Sequence, residues 1–305
     1  MSLSRDIADY PEGIVLPVDK PYRWTSADVI RKLKFAAIKH FGKKNLKVSH
    51  AGTLDPLATG VLLVCIGNAC KRAQELQDHD KEYIATIRFG ATTPSYDLEK
   101  DVDRTFPYAH ITADAVRSVL PQFLGEQEQI APLFSAKSVD GVRAYELARK
   151  LYRSGNTSAL DSTAMETLTR NRVVISELEL LEFHSDFVPE HSNSPETSDL
   201  RSSSLPSSMG PSHSCGVGAT VSGELLYSGT ASSRINVADT SAMGLPEAVI
   251  RIACSKGTYI RAFARDLGEA LDSGAHLAGL IRSRSGSYSL ADSLSLEQAL
   301  SLLTP

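Results

Sequence analysis

Between residues 184 and 247 the chain changes character, and this stretch limits how the rest can fold. Ser, Pro and Gly dominate it, as in Arg201-Ser202-Ser203-Ser204-Leu205-Pro206-Ser207-Ser208, and large apolar side chains are few. Such a segment cannot bury enough surface to repay its ordering entropy. It reads as a flexible insertion, for which an inert solvent-exposed loop is the simplest role. The apolar runs on either side, Arg172 to Phe183 and Val249 to Cys254, read as two strands that a short turn would otherwise join. The expectation is a single domain over residues 1–305, with a core of about 13–290 interrupted by the insertion.

The remaining chain mixes helix and strand signals. Gly13 to Val18 predicts a strand. A helix should follow, with Thr25 or Ser26 as its N-cap, Asp28 in its first turn and Gly42 as its stop; Val29, Ile30, Leu33, Ala37 and Phe41 share one side. Lys43 to Gly60 is polar and reads as a loop, Val61 to Ile66 as a buried strand and Asn68 to Leu76 as a short helix. Glu82 to Phe89 alternates, which places Tyr83, Ala85, Ile87 and Phe89 on one face of a strand. Thr112 caps a helix that Pro121 should bend or shorten. Ala144 to Ser154 and Leu296 to Leu303 read as further helices. Strands and helices do not alternate in βαβ order, so the fold class is α+β.

Four cysteines form no Cys-x-x-Cys pair, and neither a disulfide framework nor a zinc site is expected. No apolar run approaches the roughly 20 residues that span a bilayer. The N-terminal residues have no apolar stretch and carry Asp6, Asp9 and Glu12, so a cytoplasmic location is expected. The net charge of −4 argues against a nucleic-acid partner, but its distribution reverses that reading. Residues 184–247 hold seven acidic and two basic residues. Residues 20–50 hold nine Lys or Arg and one acid, Asp28. Such a basic cluster suits phosphate groups, although a solvated helix face is the blander reading.

Three runs carry candidate chemistry. In the first, Asp55 precedes Pro56 in a loop that leads into a buried strand. A carboxylate held on such a loop could be a nucleophile or a base, though an isolated Asp-Pro is more often a turn. In the second, Arg261 falls in the first turn of a helix that follows a strand. It could be aimed at a carboxylate and hold it ionised, or it could pair with Asp266 or Glu269 on its own helix. The glycine pattern beside it lacks the Gly-Lys-[Ser/Thr] ending of a phosphate-binding loop, which excludes that ATPase motif. In the third, Tyr83 in Lys81-Glu82-Tyr83 is either a core aromatic or a platform on which a nucleobase stacks.

Taken together these runs resemble the bacterial TruB-type tRNA pseudouridine-55 synthases. The matching stretches are Val18-Asp19-Lys20-Pro21 with Thr25-Ser26, Ser49 to Leu62 around His50-Ala51-Gly52-Thr53-Leu54-Asp55-Pro56, Lys81-Glu82-Tyr83, and Phe134-Ser135-Ala136-Lys137 with Tyr145 to Arg149. Cys254 to Arg261 with Asp266-Leu267-Gly268, and Gly274 to Leu277 with Leu280 and Arg282, complete the set. They keep the family's order over most of residues 13–290. The resemblance implies a mixed, largely antiparallel sheet flanked by helices, with its site in a basic cleft. It implies Asp55 as the catalytic nucleophile, with addition to C1′ or removal of a proton from it both open, Arg261 as its charge partner, and Tyr83 as the ring that stacks on a flipped base. His50 would hold the distorted RNA loop, Tyr259 and Leu280 would line the pocket, and Lys20 with Pro21 would support the active-site loop. The implied partner is the T-arm of tRNA, bound by a monomer. The isomerisation needs no redox step or energy source, so no cofactor and no metal is expected.

Some features depart from the family. Arg23 and Pro94 stand where a Gly and an Asp are usual, which puts the local loop shapes in question. The insertion falls in a normally tight hairpin, and no C-terminal PUA domain is expected. Two other functions are compatible with the residues: the same chemistry on another RNA, as in guide-RNA-dependent relatives, and RNA folding or binding without essential catalysis.

Overall fold

The computed structural model describes residues 3–135, 138–139, 142–155, 163, 170–185 and 235–304. Its strands are β1 (Ile14–Lys20), β2 (Val48–Ala51), β3 (Ala58–Ile66), β4 (Lys81–Phe89), β5 (Ala91–Thr92), β6 (Arg104–Thr105), β7 (Gly125–Ile130), β8 (Ser138–Val139), β9 (Val142–Arg143), β10 (Arg170–His184), β11 (Glu247–Cys254), β12 (Ala275–Ser285) and β13 (Tyr288–Ser289). The α-helices are α1 (Ser26–Phe41), α2 (Ala73–Asp78), α3 (Ala113–Val119), α4 (Ala144–Arg153), α5 (Ile260–Ala270) and α6 (Leu296–Leu302).

The main sheet runs in the order β1-β3-β12-β4-β11-β10-β7, with β2 added to β3 and β13 to β12. Among the described pairings in this sheet, only β3 with β12 is parallel; the others are antiparallel. This is the mixed, largely antiparallel α+β architecture expected. β10 and β11 are neighbours, with His184 opposite Glu247. Residues 186–234 lie outside the described residues, as do Ala136 and Lys137 of the fourth matching stretch.

Local signals account for the first helix. Thr25 caps α1, and Asp28 returns the bond in a capping box. Gly42 ends it at φ 61°, a left-handed conformation that favours glycine. Its buried stripe of Val29, Leu33, Ala37 and Phe41 joins a core with Leu62 and Val64 of β3, Ala85 and Ile87 of β4, and Phe263 and Leu267 of α5. Truncating a residue such as Leu33 there would cost about 2–5 kcal/mol. β3 is buried along its whole length. Its other face, with Val61, Leu63 and Cys65, packs on Leu76 of α2. Pro121 does shorten the helix after Thr112: α3 stops at Val119 and continues as a 3-10 turn.

One reading is corrected, and one element is found where the sequence was assigned none. The polar stretch from Lys43 to Gly60 contains β2, a short strand whose side chains are mostly half-buried and show no alternation. The stretch after Gly274 is a central strand, β12. Its pairing with β4 is interrupted between Leu277 and Gly279 and between Arg282 and Arg284. Such irregularities shift the inward and outward positions and hide the two-residue period.

Residues 235–246 belong to the stretch read as a flexible insertion, yet they pack against the body. The Ala238 amide donates to the Leu98 carbonyl at 2.8 Å. Thr240 accepts from Arg88 Nη1 at 2.8 Å, and Leu245 is buried. Composition alone missed this because Ala238, Thr240 and Leu245 are isolated anchors without a period.

Candidate active site

The loop between β2 and β3 carries Asp55, and its backbone is held from several directions. Ser26 Oγ, at the start of α1, accepts from the Leu54 amide at 2.9 Å and donates to the Leu54 carbonyl at 3.1 Å. The Lys20 ammonium donates to the Pro56 carbonyl at 3.1 Å, and also to Pro21 and Trp24. Arg282, on β12, donates to the carbonyls of Val61 at 2.6 Å and Gly52 at 3.2 Å. Gly60 allows β3 to approach β12 closely: at φ 97°, a Cβ there would lie 2.3 Å from the Arg282 carbonyl oxygen.

Asp55 meets Arg261 across this frame. Nε donates to Asp55 Oδ2 at 2.9 Å and Nη2 to Oδ1 at 3.0 Å, the two-pronged geometry that suits a guanidinium. The Arg261 side chain is 5% exposed and that of Asp55 37%, so the arginine is the buried base of the pair and the carboxylate its open end. Arg261 also donates to the carbonyls of Ser95 and Phe134, and Asp97 lies 3.6 Å away. Burial works against the guanidinium's charge, but Asp55 and Asp97 outweigh it and raise its pKa. Of the alternative partners on its own helix, Asp266 pairs with Arg265.

The other expected site residues lie around this pair. Tyr83 sits opposite Arg282 in the β4–β12 pairing. Burial raises its phenol pKa, and the charges of Arg282 and Asp55 both reach it. Tyr259 precedes α5, and its amide donates to Gln129 Oε1 at 2.8 Å. Burial raises its phenol pKa too, with Arg261 and Asp55 again in range. Leu280 lines a hollow with Asp55, Leu57, Asp97, Leu277 and Gly279. His50 is half-buried on β2. Burial and Arg282 lower its pKa, and its Nδ1 has no hydrogen-bond partner among the described residues. Lys20 is completely buried.

Sequence reasoning missed Ser26, Asp97 and Arg282 as parts of the site. Asp97 is buried, which raises its pKa against the opposing charge of Arg261. Ser95 Oγ donates to its carboxylate at 2.6 Å. Arg282 stood in a matching stretch, but an arginine in a strand gives no local sign that it will be buried. Among the described residues no cluster of His, Cys, Asp or Glu could hold a metal ion, and no helix is long and apolar enough to cross a membrane.

The pattern of the TruB family pseudouridylate synthase N-terminal domain matches residues 39–191. The tRNA pseudouridine synthase B of Phocaeicola vulgatus is 43% identical over 289 residues, covering 95% of this chain and 92% of that protein. The chain belongs to the TruB family. The tRNA pseudouridine synthase B of Flavobacterium johnsoniae is 36% identical over 289 residues, 94% of this chain and 95% of that protein. A chain in a solved Cbf5-Nop10-Gar1 complex aligns with a TM-score of 0.54 at 20% identity, covering 97% of this chain and 56% of that one. At that identity the likeness concerns the fold.

Within this TruB-family chain, the two departures lie in loops that border the Asp55 site. Arg23 adopts φ 61°, so it keeps a backbone shape that favours glycine while carrying a long side chain. Its Nη2 donates to the Ile235 carbonyl at 2.7 Å, at the start of the packed limb 235–246. Pro94 takes the second position of a turn closed by the Tyr96 amide and the Thr93 carbonyl. Tyr96 follows at φ 59°, with the Arg265 guanidinium 5.0 Å from its ring centre.

Proposed function

We propose that this protein converts a uridine of tRNA, at position 55 in the T-arm, into pseudouridine, with Asp55 as the nucleophile. The observation that carries the proposal is the Asp55–Arg261 pair, in which a buried two-pronged arginine grips a half-open carboxylate. The names of the relatives supply the substrate class.

The chemistry follows from that geometry. The target base leaves its stack at a cost of a few kcal/mol, and the Tyr83 ring gives it a surface. Each carboxylate oxygen has two lone pairs, so Asp55 can bond Arg261 and still attack C1′. As the O–C1′ bond forms, the N1–C1′ bond breaks and its electron pair leaves with the uracil. The uracil turns and C5 attacks C1′. The O–C1′ bond then returns its electrons to Asp55, and the C5 proton is released to a base or to water. Arg261 holds the carboxylate in place through its two hydrogen bonds at the start and the end of this cycle.

The test is tritium release from C5-labelled uridine in a tRNA transcript, with sequencing of the modified position. Asp55→Asn should abolish release while leaving binding mostly intact. Normal turnover by that variant would remove Asp55 from the mechanism. Modification confined to another site or another RNA would remove the T-arm assignment.

A further inference from the structure

The outward face of α1 combines charge and an aromatic ring in a way the fold does not need. From Val29 to Ser49 the chain carries Arg31, Lys32, Lys34, Lys39, Lys43, Lys44 and Lys47, and no carboxylate. All seven are exposed. Among them is Phe35, 76% exposed. The helix already buries Val29, Leu33, Ala37 and Phe41, so Phe35 adds nothing to that stripe. Arg31 and Lys39 lie one turn to either side of it, and Lys32 sits three residues before it, all on neighbouring positions of the helix surface. Lys32 also lies over the Trp24 ring, 5.2 Å from its centre. Arg31 is paired with Asp28 at 2.9 Å, which leaves the stretch beyond it strongly positive.

This face is tied to the candidate active site at both ends. α1 begins at Ser26, which is bonded to Leu54 beside Asp55. The basic run ends at Lys47, immediately before β2, which carries His50 and leads into the same loop. Phe35 lies roughly 14 Å along the helix from Ser26 at 1.5 Å per residue, well within reach of an RNA whose uridine occupies the site.

We propose that the α1 face centred on Phe35 is a second RNA contact, used by the same tRNA that presents its uridine to Asp55. Phe35 stacks on an unpaired base, and Lys34, Lys39, Lys43 and Lys44 meet the flanking phosphates. An aromatic platform among cations is what an unstacked RNA segment requires. A protein partner could cover an exposed phenylalanine, but six exposed lysines in one run without an intervening carboxylate favour a polyanion. The inference rests on the tRNA reading above.

The test compares Phe35→Ala and the double variant Lys34→Glu/Lys39→Glu with the parent protein, using a full-length unmodified tRNA transcript. Binding is measured in an Asp55→Asn background so that turnover does not intervene. Phe35→Ala should weaken Kd by roughly five- to tenfold, the low end for a lost base stack. The double variant should flatten the salt dependence of binding, because each lost phosphate contact removes roughly 0.7–0.9 from its logarithmic slope. With Asp55 intact, KM should rise while kcat at saturating tRNA holds, and melting temperature should not move. Unchanged Kd and salt slope in both variants would overturn the inference. So would a parent protein that sediments as a dimer and becomes a monomer on Phe35→Ala, which would make this a protein surface. If Asp55→Asn turned over normally while Phe35→Ala still lost affinity, the role of Asp55 would fail and the RNA contact would stand.

Discussion

Arg261 and Asp55, 206 positions apart in the sequence, meet through two hydrogen bonds of 2.9 and 3.0 Å. The same guanidinium holds the Ser95 and Phe134 carbonyls and faces Asp97. Arg261→Lys keeps the charge but cannot reproduce the fork. Pseudouridine formation should fall on the order of 10²-fold, as expected when a reacting group is displaced by about 1 Å. Arg261→Met leaves Asp97 and two carbonyls buried without this partner, and urea unfolding should show a loss of about 3–5 kcal/mol. Equal activity of Arg261→Lys and the parent would show that the forked geometry is not required.

Lys20 makes stability depend on pH. Burial pushes its ammonium down to about 7, against the opposing pull of Asp55 and Asp19. In the unfolded chain it titrates near the ordinary lysine value of 10.5. Between these values the unfolded chain holds a proton that the folded protein has released, so this group makes stability rise with pH from about 7 towards 10.5. Unfolding free energies of the parent and Lys20→Met, measured across that window, should diverge with the parent gaining as pH rises. A constant difference would show that Lys20 keeps an ordinary pKa. Over the same window the neutral amine has one donor fewer than the three carbonyls it serves, so the Asp55 loop should loosen and turnover decline.

Arg23→Gly separates two effects at one position. It relieves a left-handed backbone that costs a non-glycine residue about 1–2 kcal/mol, and it removes the bond to the Ile235 carbonyl. Global stability should therefore change little. Amide exchange at Ala238, whose N–H bonds the Leu98 carbonyl, should speed up as the limb loses its first anchor. Unchanged exchange there would mean that Arg88 and Thr240 hold the limb without help.

Gly60→Ala should be severe. The new Cβ would fall 2.3 Å from a backbone oxygen and 2.7 Å from a backbone nitrogen of Arg282, at φ 97°. Strain and overpacking together should cost roughly 2–6 kcal/mol. Thermal melting should report that loss, and a variant that melts with the parent would show that β3 and β12 can separate cheaply.

Much of the architecture was readable locally. Thr25, Asp28 and Gly42 delimit α1 because caps act over three or four residues. The alternation of Tyr83, Ala85, Ile87 and Phe89 marks β4 because one face of that strand is buried. β12 was not readable, because its pairing irregularities break the period and because Arg282, nearly fully buried, looks like a surface residue in any local window. The order of the matching stretches supplied the expected Asp55, Tyr83 and Arg261, whereas Ser26 and Asp97 left no signal beyond their residue types.

The sequence by itself determined the α+β class, the helix caps and the family of the chain. These depend on short-range propensity, periodicity and motif order. Only the tertiary structure decided that Arg261 pairs with Asp55 rather than with a carboxylate of its own helix. It alone decided that Arg282 and Lys20 clamp the loop from inside, and that Arg23 holds the limb at Ile235. Charges distant in sequence meet where strand register and helix packing place them, and burial then sets how strongly they interact.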